Sequence, residues 1–529
     1  MKTQRGRFAL LAAMAAVLFA GPASAQKSGG ILKIQHMDNP PSASILEEAT
    51  VSVPAAFMSV YNNLVLFDQH VAKNSLQSIV PELATKWEWK DDGKTLVFTT
   101  REGVKWHDGK PFTAKDVACT FDLLLNGESK LRRNPHAAWW SNVESVTADS
   151  DTQVTFRLKA PQPALLGLLA SGYTPIYSCH VPADQMRRRP IGTGPFKLAE
   201  FKMNESIKLV RNPDYWKKGL PYLDGIEFTI IPDRSTRMLS FVAGKFDMTF
   251  PTDVTVPLLK NIRKDAPKAV CTMRETGVSS NLIVNSQAPP FDNPKIRRAL
   301  GLTLDRKAFI DILAEGEGKP SGIMLPPPSG VWGMPDEMLK DVPGYGDVNK
   351  AREEARALMK EAGYGPDKRL KVKVSTRNIA TFRDPATILI DHLKHIYVDG
   401  ELEVIDTSVY YNRVFKKDYA VALNLTGSAV DDPDVTFFEG YACGSLRNYD
   451  GYCNARMTAL FEAQSEEVDQ KKRQQMVWEI DRLLQEDVAR PIISNQLAAG
   501  CWHPWVKNYT IQTNSIYNGW RFEDIWLDR

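Results

Sequence analysis

The sequence predicts an α/β protein built from several lobes, and three observations carry that reading. The chain has 529 residues, 43% hydrophobic and 24% charged, with 33 Pro and 33 Gly; this is ordinary globular composition, long enough for about two to four domains. Segments apolar at every second residue are interleaved with segments of helical period, the mark of mixed α/β layers. No internal repeat and no low-complexity linker separates the blocks, which favours lobes crossed by several chain passages over beads on a string.

The chain opens on a secretory signal over residues 1–25. Lys2, Arg5 and Arg7 form a basic end, Phe8 to Ala20 an apolar run, and Ala23-Ser24-Ala25 a small-residue cleavage site before Gln26. The run is shorter than the roughly 20 apolar residues of a spanning helix and stops at Gly21-Pro22. A cleaved protein, free in an oxidising, extracytoplasmic space, is expected. With Lys2, Arg5 and Arg7 set aside, the 66 basic and 63 acidic residues come into balance, so no overall basic excess remains to drive nucleic-acid binding.

Six cysteines in an oxidising space permit up to three disulfides. Cys443 and Cys453 bracket a short polar loop, Gly444 to Tyr452, and are the expected pair; closing that loop contributes about 2–3 kcal/mol. Cys119 falls inside a helix predicted over Asp116 to Leu125 and is expected as a buried free thiol. The pairing of Cys119, Cys179, Cys271 and Cys501 stays open.

Trp87 to Thr99 is apolar at alternate positions on either side of Asp92-Gly93, which predicts a β-hairpin. Gly103 to Phe112 reads as a second, turn-rich strand, Thr113 as the cap of a helix running from Ala114, and Gln153 to Leu158 as a further strand. Residues 70–189 thus form a small α+β unit. From Gly192 the rhythm is strand, helix, strand: alternation over Ile207 to Val210, a strand at Ile226 to Ile231, and a helix beyond Pro232 ending at Gly244. The block 284–490 begins with a helix after Asn293-Pro294, a Pro326-Pro327-Pro328 loop and a helix from Asn349 to Ala362. It continues with a strand at Leu370 to Val374, a helix across Ala386 to Ile396, strands at Leu402 to Ile405 and Tyr419 to Leu425, and a long helical region, Ala455 to Val488. An aromatic tail carries Trp502, Trp505, Trp520 and Trp526.

Catalytic constellations are sparse. Asp92-Gly93-Lys94-Thr95 ends like a phosphate-binding loop, but Glu88 stands where the first Gly is required, and the hairpin accounts for every residue. No Gly-x-Ser-x-Gly elbow occurs. His392 and His395, at i, i+3 on a predicted helix, lack the further ligands of a tetrahedral metal site and read as a solvated face. Asp431, Asp432 and Asp434 lack the spacing and central Gly of a calcium loop; they read as a turn around Pro433 or as groups facing a ligand. No cofactor is predicted, and no enzyme.

Several ordered blocks resemble the family 5 solute-binding proteins of bacterial ABC importers, the oligopeptide, dipeptide and nickel group. They are Val80-Pro81-Glu82-Leu83-Ala84 through Trp87, Gly93-Lys94-Thr95, Gly103-Val104-Lys105-Trp106-His107-Asp108-Gly109 and Pro111 to Val117, then Gly192-Thr193-Gly194-Pro195-Phe196, Arg211 to Trp216 with Pro221 to Asp224, and Arg297-Arg298-Ala299-Leu300 with Asp305-Arg306. The resemblance implies a periplasmic-binding-protein-like fold of type II: two lobes with a hinge plus a family-specific extra domain. One lobe is expected from 26–69, 190–283 and 495–529, the extra domain from 70–189 and the opposing lobe from 284–494. It further implies a monomer that closes on its solute and hands it to an inner-membrane permease.

In peptide-binding members that the chain resembles, a carboxylate after a Gly-rich strand end, shortly before Asp-Pro-Asp, meets the peptide's amino group. Here the stretch runs Thr426-Gly427-Ser428-Ala429-Val430-Asp431-Asp432-Pro433-Asp434, so Ser428 or Ala429 takes the acidic position. Either Asp431 substitutes from the next turn or the amine contact is gone. Arg377 and Arg383 fall where dipeptide binders resemble this chain and hold an Arg for the ligand carboxylate, though either can pair instead with an acid such as Asp384 or Asp406. Tyr410 or Tyr411 lies near an aromatic cleft position. The expected contacts are therefore Arg377, Arg383, Tyr410, Thr426, Gly427, Ser428 and Asp431, and the expected cargo is a short peptide or peptide-like solute bearing a carboxylate. The alternatives are an opine, an oligosaccharide stacked on the aromatic tail, a metal chelate or, on the same scaffold, a secreted hydrolase.

Overall fold

A computed structural model describes residues 26–126 and 130–529; the expected signal segment lies outside them. Ile31–His36, Gly225–Ile230, Ser206–Arg211 and Phe196–Lys202 form one four-stranded sheet in that order, parallel in its first pair and antiparallel after. Ala84–Lys90, Thr95–Thr100, Gln153–Leu158 and Val143–Ala148 form a second, all antiparallel. These two sheets share one core, which runs from Leu32 and Phe57 through Trp106 and Phe156 to Phe196 and Trp520. The unit carried by residues 84–158 is therefore packed onto the first lobe as a single body.

The opposing lobe is a five-stranded mixed sheet ordered Val398–Ile405, Leu370–Arg377, Val421–Gly427, Val270–Val284, Ile492–Trp502. Its own core gathers Leu282, Leu300, Val374, Leu389 and Leu423 under helices that include Pro294–Leu302 and Ala380–Lys394. Its last two strands are long enough to leave the lobe. From Val270 to Glu275 the first of them pairs only with Trp502 to Leu497, and its other end, Val278 to Val284, pairs with Gly427 to Val421. Between these halves, after Glu275, the register slips, and such bulges bend a ribbon. The two strands thus cross from one lobe to the other with a built-in bend, and Cys271–Cys501 joins them at directly paired positions.

Local chemistry explains most boundaries and most departures from expectation. The hairpin forms, but its turn takes three residues, Asp91, Asp92 and Gly93, all with positive φ (51°, 49° and 85°). Gly103 to Phe112 is no regular strand; only the Lys105–Pro111 bridge forms, because the chain reverses at Gly109, whose N–H donates to the Trp106 carbonyl. The helical region after Ala455 is two helices, Ala455–Glu466 and Gln470–Glu486, with Asp469 capping the second. Cys119 is no free thiol: it bonds Cys179. The chain before Cys179 runs along the Ala114–Asn126 helix, where Thr120 and Tyr177 exchange two hydrogen bonds and the Cys179 N–H donates to Asp116 Oδ1. Cys443–Cys453 forms as expected.

Candidate functional site

The lobes meet over the C-terminal ends of Leu370–Arg377 and Val421–Gly427 and the bend of the crossing strands. Two narrow chambers lie there. Gly277, Ser279, Thr426, Ser428, Glu439 and Arg490 line the first. In the second, Met37, Ala49, Thr252 and Tyr517 of one lobe face Arg377, Phe382 and Tyr411 of the other. Gly427 and Arg447 border both. A smaller recess beside them holds Asp431, Asn495 and Asn514. A wider groove adjoins the second chamber through Thr381, Leu425 and Gln496.

Glycine makes this crossing possible. A Cβ on Gly427 would stand 1.8 Å from the Tyr517 hydroxyl, and one on Gly277 2.6 Å from Asn514 Oδ1. The C-terminal tail packs directly on the strand ends because those side chains are missing.

The charges are buried and mostly paired. Arg377 Nη2 donates to Asp38 Oδ2 across the gap at 2.5 Å, Nε to Thr407 Oγ1 at 3.1 Å and Nη1 to the Tyr411 hydroxyl at 3.3 Å, with the guanidinium 4.6 Å over the Phe382 ring. Burial works against its charge, yet Tyr411 and Asp38 outweigh it and raise its pKa. Arg447 donates through Nη1 to Glu439 and through Nε to the Tyr449 hydroxyl. Glu439 also accepts from Trp139 Nε1 at 3.0 Å and lies 2.8 Å from His136 Nδ1, so residues of the first lobe's body grip it. Burial pushes its carboxyl up, but Arg447 and His136 pull it below the usual range. Arg490 donates from Nε to Asp450 Oδ2 at 2.8 Å. Among the described residues Asp431 has no such cation: it accepts the Val331 N–H at 3.1 Å, and burial pushes it up to about 7.

Of the residues expected from sequence, Thr426, Gly427 and Ser428 border the first chamber, Arg377 the second and Asp431 the recess. Arg383 does not reach the gap. The helix begins at Ala380, earlier than expected, so Arg383 falls on its exposed face and donates to Asn378. Tyr410 sits in the core against Ile283 and Ala422, its hydroxyl on Asn424; Tyr411 is the tyrosine on the chamber. His392 is buried, accepts the Asp305 N–H and is lowered to about 4, first by burial; it is no solvated face. None of Trp502, Trp505, Trp520 and Trp526 lines a chamber. Sequence reasoning missed Asp38, Glu439, Arg447, Arg490 and Tyr517. Arg447 lay inside the Cys443–Cys453 loop, which was legible only as a loop to be tied down. Among the described residues no cluster of His, Cys, Asp and Glu could hold a metal, and no helix is long and apolar enough to cross a membrane.

The profile described as bacterial extracellular solute-binding proteins, family 5 Middle, matches residues 78–447. The chain is 32% identical to heme-binding protein A of Haemophilus influenzae, over 61% of this chain and 60% of that protein. It is 26% identical to the dipeptide-binding protein of Escherichia coli, over 86% and 87%. Its fold is similar to that of an ABC transporter-associated periplasmic binding protein from Helicobacter pylori, solved in complex with the peptide STSA, with a TM-score of 0.82, 23% identity, and coverage of 95% of this chain and 99% of that one.

Proposed function

From this chain's place in the family 5 bacterial extracellular solute-binding proteins, which makes it the substrate-binding component of an ABC importer and not an enzyme, we propose that its cargo is a short peptide or peptide-like solute bearing a carboxylate. The observation that carries this reading is a chamber walled by both lobes, where Met37, Thr252 and Tyr517 face Arg377 and Tyr411, joined through Gly427 and Arg447 to a second chamber at the strand ends. A solute there touches both lobes only when they are closed, which gives the differential binding that closure requires. Polar main chain at Gly427 and Ser428 suits a peptide backbone, and the relatives named for dipeptides support the same class. The protein works in the periplasm as a monomer, delivers to a permease, and divides at 69/70, 189/190, 283/284 and 494/495 into the units expected from sequence. Asp431, a half-buried acid beside Ser428 with no cation partner among the described residues, takes the solute's amino group in place of the acid missing at Ser428 or Ala429.

The test is native mass spectrometry of protein isolated from periplasm, followed by denaturation and identification of what is released. Short peptides, or one compound with an amino and a carboxyl group, are expected. A porphyrin or a sugar would overturn the reading.

A further inference from the structure

Three arginines border the chambers, and the protein uses them to different extents. All three nitrogens of the Arg377 guanidinium have protein acceptors: Nε on Thr407, Nη1 on Tyr411, Nη2 on Asp38, Thr50 and Thr407. Asp38 comes from the opposite lobe and occupies the position that a solute carboxylate would need for a charge-assisted contact. Arg447 commits only Nε and Nη1, to Tyr449 and Glu439. Arg490 commits Nε to Asp450 and Nη2 to the carbonyls of Gly440 and Arg447. Arg447 Nη2 and Arg490 Nη1 therefore have no protein acceptor among the described residues, although the two residues are 8% and 2% exposed and both border the first chamber. They are also neighbours, since Arg490 Nη2 reaches the Arg447 carbonyl at 3.1 Å.

We infer that Arg447 and Arg490 together form the anion contact of the bound solute, in place of Arg377, and that the anion is a carboxylate. The inference rests on the proposed peptide-like cargo and names the residues that hold its acidic end. Glu439 and Asp450 already balance the two guanidinium charges. Any anion there adds negative charge beside those two acids; a carboxylate adds one such charge and a phosphate dianion two, and a low-dielectric site penalises the second more heavily. Guanidinium N–H groups open onto a confined chamber favour a charged acceptor, and a carboxylate spanning the two arginines satisfies one on each. Ser428 and Thr426 line the same chamber and bring hydroxyls to its wall.

The experiment is titration calorimetry and thermal melting of the mature protein, stripped of solute, with trialanine and trialaninamide, and separately with propionate and propionamide. Wild type, Arg447→Lys and Arg377→Lys are compared; the Lys at 447 keeps the charge facing Glu439 but removes the open Nη2. Trialanine is expected to bind wild type about tenfold or more tightly than its amide, a preference lost in Arg447→Lys. Arg377→Lys should weaken both peptides equally, because it alters closure and not the solute's charge. A preference for trialanine that survives in Arg447→Lys, or disappears in Arg377→Lys, overturns the assignment. If neither peptide binds, the peptide reading falls, and the arginine pair is then judged on propionate alone. A propionate-specific rise in melting temperature that vanishes in Arg447→Lys supports the pair. Its absence in wild type, or its survival in the variant, overturns the pair.

Discussion

Arg377 was legible in the sequence as a strand-end cation, but its partner was not, because Asp38 lies in the other lobe and some 340 residues earlier in the chain. The consequence for mutagenesis is large. Arg377→Met strands a buried carboxylate and should destabilise the closed protein by about 3–5 kcal/mol, whereas combining it with Asp38→Asn should restore near-wild-type stability. Urea denaturation of the two singles and the double reads this cycle, and additive losses would show that the pair is not coupled. Arg383→Ala, on an exposed helix face, should change stability by under about 0.5 kcal/mol. Asp431 carries a pH signature. Its folded pKa, about 7, lies above its ordinary 3.8, so between those values the folded state holds a proton that the unfolded state releases. Wild-type stability therefore falls as pH rises through that window, by up to about 4 kcal/mol. Asp431→Asn keeps an acceptor for the Val331 N–H and should match wild type near pH 4 yet exceed it at pH 8. Part of the slope remains, because burial also pushes Asp481 up to about 6. Equal stability of variant and wild type at pH 8 would contradict a carboxylate buried without a cation.

Periodicity and caps located the helices and strands well where the pattern is local. Gln153–Leu158 is the strand the alternation predicts, and Asp347, accepting from Asn349 and Lys350, fixes the start of the Val348–Glu361 helix within a residue of expectation. The errors fall where a distant segment decides. Cys119 has the pattern of a helix-buried thiol, and only the return of the chain through Tyr177 supplies its partner, at a sequence separation of 60. Replacing Cys119 and Cys179 by Ser should cost about 4 kcal/mol by loop-closure entropy, against about 3 kcal/mol for the ten-residue Cys443–Cys453 loop. Melting of the two double variants under non-reducing conditions gives that order, and its reversal would show that native packing and not chain entropy dominates. Gly427→Ala tests the strand end: its methyl displaces the Tyr517 ring into the second chamber, so solute-induced stabilisation should fall while the fold survives. Undiminished binding would place the solute elsewhere.

Closure is held by contacts spread over the whole molecule. Asp38 with Arg377, Arg234 with Asp384 at 3.2 Å, and His136 and Trp139 with Glu439 all cross the gap. Asp38→Asn leaves Arg377 without its counter-ion only when the lobes are shut, so it should shift the population open. Small-angle scattering of solute-stripped protein should show a larger radius of gyration for the variant than for wild type. An unchanged radius would remove the pair from the closure equilibrium.

The order of turns, strand ends, caps and family blocks was written in the linear chain, since each depends on residues a few positions apart. That local information suffices for a two-lobed α/β carrier, its crossing segments and the stretch Thr426 to Asp431 at its cleft. Which charges remain available to a solute was decided only in three dimensions. A guanidinium is open or spent according to acceptors that other lobes bring to it, and burial then sets whether an acid such as Asp431 keeps its proton. Arg377 and Arg447 look alike as sequence; Asp38 and Glu439 make one a bridge between lobes and leave the other with a hydrogen free.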